Sequence, residues 1–363
     1  MLQEAPKYRV VAEWAKKQID GTQLRPGDKF YSETELCRRF GFSRQTIRQA
    51  IGLLERDGFL ERKRGAGTYL AGKSAGEITL SKTIGVISTY VDSYIFPAII
   101  RGISGVLSET GYAVQLSLTN NKVENESRAL NSLLSGNVIG IIAEPTQSGL
   151  PNPNAELYWQ IRERKIPLIF FNAYYPNMDF PHVCLDDHLA GKMAAEYLIG
   201  AGHKKIAGMF QSDDRQGHLR YVGYIQALQR AGLDVESSNV LWFTTEDIPF
   251  LRDDITRLRR RFGDCTGLVC YNDAVAYIVV SELRERGVLV PEELSVVGID
   301  GAEIGLICPV PLTTFAHPME KLGEVAAKNI LKLIENPGFE ATVDFAPRLI
   351  ERESVRFMGE NIC

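Results

Sequence analysis

From Thr83 onward the chain alternates short apolar runs with amphipathic stretches, and this alternation limits the folds open to it. Thr83–Ser88, Ala113–Thr119, Gly140–Ala143 and Pro167–Phe171 are apolar runs of strand length. Between them, Phe96–Glu109, Glu124–Leu134 and Ala155–Arg164 carry apolar residues at helical spacing. A second series follows, with strands at Lys205–Phe210, Gly267–Tyr271 and Leu294–Ile299. Its helices are expected at His188–Leu198, Leu219–Ala231, Pro249–Phe262 and Ala274–Arg286. Strands separated by helices pair in parallel, with helices on both faces of the sheet. Two series imply two similar lobes, so the fold class is α/β, two-lobed, with doubly wound parallel sheets.

Ligands of such sheets sit beyond the carboxyl ends of the strands. Those ends carry Tyr90 and Tyr94, Glu144, and Asn172 with Tyr174 in the first series. In the second they carry Asp213 and Asp214, Asn272–Asp273 and Asp300, with Arg220 at the start of a helix. Forked carboxylate, amide and guanidinium groups can each bridge two neighbouring hydroxyls, and a ring can cover the C–H face of a sugar. This mixture suits a polyhydroxylated ligand. Asn272 and Asp273 could equally serve as helix caps; Arg220 could not.

The first seventy residues follow a different pattern. Val10, Val11, Trp14, Ala15 and Ile19 form a helical stripe closed by Asp20–Gly21. Ser32-Glu33-Thr34-Glu35 is a capping box that opens a short helix ending at Gly41. A second helix starts at Ser43, buries Ile47, Ala50, Ile51 and Leu54, and turns Arg44, Gln45 and Arg48 outward. Arg and Gln match guanine and adenine edges in the major groove, although an ordinary helix with a solvated basic face has the same pattern. Phe59–Lys63 and Thr68–Leu70 then make a hairpin whose tip, Arg64-Gly65-Ala66-Gly67, is basic and Gly-rich. No strand-to-helix transition surrounds that tip, so it does not read as a nucleotide loop.

Charge separates the two regions. The net charge of -4 hides a head in which residues 1–73 carry 15 Lys and Arg against 9 Asp and Glu. The remainder carries 26 against 36. A basic head on an acidic body is the asymmetry of a nucleic-acid module joined to something else. The six cysteines form no C-x-x-C pair, and no His stands at zinc-finger spacing, so no metal site is expected. No apolar run approaches the ~20 residues that span a bilayer, and the N-terminus lacks a signal-type apolar core. A cytoplasmic protein without cofactor is expected.

Over roughly residues 6–71 the chain resembles the winged helix-turn-helix of GntR-type bacterial regulators. The likeness rests on Tyr31–Leu36, Phe40–Ala50, Leu54–Leu60 and Arg64–Tyr69. It implies DNA contacts by Ser32, Glu33, Ser43, Arg44, Gln45, Thr46 and Arg48, with Lys63, Arg64, Gly65 and Gly67 in the wing. Tyr31 stands where the family usually has Pro. Residues 82–356 are similar to LacI-type, periplasmic-binding-protein-like sensor domains, through Glu196–Ala207, Arg220–Tyr224, Val269–Ala276, Leu294–Asp300 and Pro311–Thr314. That resemblance implies effector contacts by Arg220, Asp273 and Asp300. Asn272 and His317 are further candidates, and Trp242 or Phe243 could supply an aromatic wall. The hinge helix and own DNA head of LacI-type regulators are missing. A GntR-type head on a LacI-type body resembles the arabinose-responsive repressors of Gram-positive bacteria.

The expected domains are a winged helix-turn-helix at 1–71, a linker at 72–82 and a two-lobed sensor at 83–363. The implied function is a repressor that holds operator DNA as a homodimer and is released by a small sugar, with L-arabinose implied by the resemblance. The stripe Ile99, Ile100, Ile103 and Val106 is the expected dimer face. A transport binding protein would suit the body alone but lacks the basic head. An enzyme would need a metal cluster, a G-x-S-x-G elbow or a P-loop, and none is present.

Overall fold

The computed structural model describes residues 7–21, 27–56, 58–63, 67–71, 82–252 and 262–358. The chain divides into two compact units, residues 1–80 and 81–363. The linker expected at 72–82 lies outside the described residues up to position 81.

In the first unit, α1 (Lys7–Gly21), α2 (Glu33–Phe40) and α3 (Arg44–Arg56) precede the antiparallel pair β1 (Leu60–Lys63) and β2 (Gly67–Leu70). Val11, Ala15 and Ile19 of α1 meet Leu36 of α2 and Ile47, Ile51 and Leu54 of α3 in one core. Leu60 and Leu70 close it from the strands. Ser32 caps α2 as its capping box requires: its hydroxyl accepts from the Glu35 amide at 3.3 Å, and Glu35 accepts from the Ser32 amide at 2.7 Å. Gly41 ends α2 at φ 67°, where a side chain would be strained.

The second unit begins with β3 (Thr83–Ser88), α4 (Phe96–Glu109), β4 (Ala113–Leu118), α5 (Val123–Ser135), β5 (Gly140–Ala143) and α6 (Ala155–Glu163). β6 (Leu168–Phe171) and β7 (His182–Leu185) end this run. The other lobe is built from α7 (Asp187–Gly200), β8 (Ile206–Gln211), α8 (Arg215–Arg230) and β9 (Val240–Phe243), then β10 (Gly267–Cys270), α9 (Asp273–Glu285) and β11 (Ser295–Val297). The chain then forms β12 (Thr314–Ala316), α10 (Met319–Glu335), β13 (Val343–Phe345) and β14 (Arg348–Ile350).

Both large sheets are parallel, ordered β13-β7-β6-β5-β3-β4 and β11-β10-β8-β9. Their strands are apolar on both faces because each face packs on helices. Ile84, Val86, Ile142 and Ile169 point to α4 and α10, whereas Ile87, Ile141, Leu168 and Phe170 point to α5 and α6. The alternation follows from the two-residue period of a strand. In the second sheet Met209, Leu268 and Val296 face α9, while Ile206, Val269 and Val297 face α7 and α8.

Three findings depart from the sequence reading. First, α10 and β13, the latter paired with β7, return to the first lobe, so that lobe is not one continuous series. Second, this return consumes the expected dimer face. Ile99 and Ile103 are fully buried and Val106 is 9% exposed, all in the core shared with α10, while Ile100 is partly buried against the same core. The helices approach this closely because Gly102 faces the Glu320 carbonyl and Gly323 faces the Ile99 carbonyl, where a Cβ would overlap. Third, the helix expected from Pro249 opens earlier, as a 3-10 turn over Thr245–Phe250, and residues 253–261 lie outside the described residues.

Candidate functional site

In the head, α3 follows Ser43, whose hydroxyl accepts from the Thr46 amide at 3.3 Å and meets the Thr46 hydroxyl at 2.9 Å. Burial of Ile47, Ala50, Ile51 and Leu54 fixes the helix rotation, so Arg44, Gln45 and Arg48 stand exposed on the opposite side. Arg48 is held rather than free. Its Nε donates to both Glu33 oxygens, at 3.0 and 3.2 Å, and Arg62 donates to the same carboxylate at 3.0 Å. Glu33 therefore orients two cations at the front of α3, while Ser32 is engaged in its cap. Lys63 pairs with Glu61 at 3.0 Å and lies over the Tyr69 ring. The strands pair up to the register Lys63↔Gly67; the expected contacts Arg64 and Gly65 lie outside the described residues.

In the body, a cavity of about 200 Å3 opens between the lobes at the carboxyl ends of both sheets. Of the expected effector residues, Tyr90, Tyr94, Glu144, Asn172, Arg220, Asn272 and Asp300 line it. Asn272 caps α9 by accepting from the Val275 amide at 2.9 Å, and it also lines the cavity.

Arg220 organises the floor. It is 1% exposed and donates to Asp187 at 2.8 Å, to Asp300 at 3.1 Å and to the Tyr271 carbonyl at 2.5 Å. Burial opposes its charge, but the carboxylates of Asp187 and Asp300 outweigh that and hold the guanidinium above its usual range. Tyr94, from the other lobe, donates to Asp300 at 2.6 Å. Across the cavity, Glu144 accepts from the Thr89 amide and the Asn172 side chain, each at 2.7 Å. Burial nevertheless pushes the Glu144 carboxyl up to about 7. Asp214 accepts from Tyr271 at 2.6 Å and from Ser148 at 2.8 Å.

Two expected residues lie elsewhere. Asp273 is absent from the lining because both its oxygens brace the chain crossing, accepting from Thr314 at 2.6 Å and from the Ala302 amide at 2.8 Å. His317 is buried beside the crossing with both ring nitrogens unpartnered among the described residues, and burial lowers its pKa to about 4. The aromatic wall expected of Trp242 or Phe243 is also not found there. Trp242 packs on Phe210 and Tyr221, and Phe243 lies in the core of the second lobe.

Sequence reasoning missed Asn121, Gln147, Gln211, Gln216, Thr245 and Tyr271, all in the lining. Gln211 ends β8 and Tyr271 follows β10, so the strand-end rule could have found both; Asn121 and Gln147 lie in loops without periodic signal. Backbone strain marks several lining residues: Tyr94, Asn121, Gln147, Asn172 and Asp300 have φ of 57°, 53°, 48°, 64° and 108°. Such conformations cost about 1–3 kcal/mol each and persist where surrounding structure over-determines them, which is typical of ligand sites.

Residues 7–70 match the model of the bacterial regulatory proteins of the gntR family, and residues 195–355 match a periplasmic binding protein-like domain. The chain is 37% identical to the arabinose metabolism transcriptional repressor of Halalkalibacterium halodurans over 96% of either chain. It is 34% identical to that of Geobacillus stearothermophilus, over 97% of this chain and 98% of the relative. The solved transcription regulator CcpA of Lactococcus lactis superposes with a TM-score of 0.69 at 27% identity, covering 76% of this chain and 99% of that one. No helix among the described residues is long and apolar enough to cross a membrane. With its winged head, its two-lobed body and a polar cleft between the lobes, this chain belongs to the family of the arabinose metabolism transcriptional repressors, sugar-responsive regulators of transcription.

Proposed function

We propose that the effector is L-arabinose, bound in the interlobe cavity, and that its binding releases a homodimer from a palindromic operator in the cytoplasm. The observation that carries this reading is the polar ring of Glu144, Asn172, Asp214, Arg220, Asn272 and Asp300 between two lobes. It offers acceptors and donors from both lobes to one small polyhydroxylated molecule. Arg220 is the one cation among the described lining residues, and its guanidinium is already bonded to Asp187, Asp300 and Tyr271. Glu144, Asp214 and Asp300 would repel a phosphate. A neutral sugar is therefore favoured over a sugar phosphate.

The effector acts through its different affinity for the lobe arrangements that do and do not permit DNA binding, a coupling of typically ~1–3 kcal/mol. In the head, Ser43, Arg44, Gln45, Thr46 and Arg48 enter the major groove, with Glu33 orienting Arg48 and with Lys63 and Gly67 on the wing. Paired half-sites need paired heads, hence the dimer. The reading is tested by a thermal-shift panel of pentoses, hexoses and their phosphates on the full chain. Stabilisation by L-arabinose and none by its phosphate is expected; stabilisation by a sugar phosphate alone would overturn it. A monomeric mass at micromolar concentration would remove the dimer.

A further inference from the structure

A second cavity, of about 170 Å3, lies beside the effector cleft where β7 crosses into α7. Tyr174, Cys184, Asp186, Arg215, Leu219 and Asp344 contribute to its walls, and none of these six lines the effector cleft. Asn172, Ala173 and Gln216 line both cavities and form the partition between them.

The partition carries polar groups without protein partners. Gln216 is 6% exposed and lines both cavities. Asn172 is 3% exposed; its nitrogen donates to Glu144, but its Oδ1 has no partner. The Nε of Arg215 is buried and also unpartnered, although the same guanidinium stacks on the Tyr174 ring. Buried polar groups are rarely left unmatched, because each keeps the full cost of its desolvation.

The chemistry of the missing partner follows from these groups. Asn172 Oδ1 requires a donor, Arg215 Nε–H requires an acceptor, and the Gln216 amide can serve as either. A hydroxyl is donor and acceptor at once. An anion would meet Asp186 and Asp344, and an apolar ligand would strand Asn172 Oδ1 and Arg215 Nε. An aromatic ligand finds no platform, since the Tyr174 faces are taken by His182, stacked at 3.9 Å, and by Arg215, at 4.4 Å.

We propose that this cavity is a second subsite for a small neutral polyol, filled by a second molecule of the effector itself. The inference rests on the proposed reading of the main cleft as a neutral-sugar site. Because Asn172 and Gln216 face both cavities, a sugar in one orients the groups that receive a sugar in the other, and the coupling is reciprocal.

Equilibrium dialysis of the full chain with labelled L-arabinose counts the sugar bound per chain. Two per chain is expected, falling to one in Leu219→Trp and, from the opposite wall, in Cys184→Met. Circular dichroism shows which variants are folded; the wild-type count and either folded variant suffice. One sugar per chain in the wild type would overturn the subsite and leave the main cleft standing. No bound arabinose would overturn both. Two per chain retained in the folded variants would put the second sugar elsewhere and also overturn the proposal.

Discussion

The Arg220 guanidinium and the Asp300 carboxylate meet at 3.1 Å, although 80 positions separate them in the chain. Arg220 projects from α8 in one lobe, and Asp300 lies on the crossing that returns the chain to the other. Tyr94 of that other lobe closes the same carboxylate at 2.6 Å. One line of hydrogen bonds thus runs from lobe to lobe along the floor of the effector cleft. On the proposed function, a sugar seated there would touch groups that join the two lobes.

Replacing Arg220 should therefore affect folding as well as sensing. Arg220→Met leaves Asp187 and Asp300 buried without their cation, which typically costs 3–5 kcal/mol, with about that loss expected here. Urea unfolding should show the loss, and operator DNA should no longer be released by L-arabinose. Unchanged stability would mean that the cluster is not a closed ion pair.

The pH dependence of stability has a definite sign. Burial lifts the carboxyls of Glu144 and Asp273 to about 7, above their unfolded values, so the folded chain retains protons that the unfolded chain releases. Their contribution is complete below the unfolded values and is lost as pH rises through about 7. Asp273→Asn keeps both contacts, since its oxygen can accept from Ala302 and its amide can donate to the Thr314 hydroxyl. Melting temperatures between about pH 5 and 8 should fall with rising pH in the wild type and less steeply in the variant. Equal slopes would assign the effect to other groups.

Helices α7 and α8 touch backbone to backbone at Gly191, where a Cβ would overlap the carbonyl of Arg220. Gly191→Ala must separate the helices and move the Arg220 main chain. A loss of about 1–3 kcal/mol is expected from overpacking. Weaker L-arabinose binding should accompany it, although residue 191 lines neither cavity. Calorimetry measures both.

In the head, Arg44→Ala should cost about 1–3 kcal/mol of operator affinity if Arg44 makes a bidentate base contact. L-arabinose binding should be unaffected. Gel shifts with unchanged affinity and sequence preference would remove Arg44 from the groove.

The head was legible because its signals are local. The Ser32–Glu35 box, Gly41 and the stripe Ile47 to Leu54 each act within one or two helical turns, and each appears in the structure as the sequence implied. The strand and helix runs of the body were legible for the same reason, through their periods. What escaped was set by distant contacts. The return of α10 and β13 to the first lobe depends on pairing with β7 and on Gly323 meeting α4, and no local pattern announces either. Missing that helix made Ile99 and Ile103 look surplus to one buried face. In the cleft, strand ends pointed to Glu144 and Asp300, but the turn of Asp273 toward Thr314 and the amides of Gln147 and Gln216 depend on how the lobes close.

Sugar in the interlobe cleft should control the grip of the head on DNA. Fluorescence anisotropy of labelled operator DNA with the full chain, titrated with L-arabinose, tests it directly. Operator affinity should fall at least severalfold, in line with a coupling of ~1–3 kcal/mol, over the concentration range in which arabinose fills the cleft. Arabinose that saturates the cleft and leaves operator affinity unchanged would contradict it.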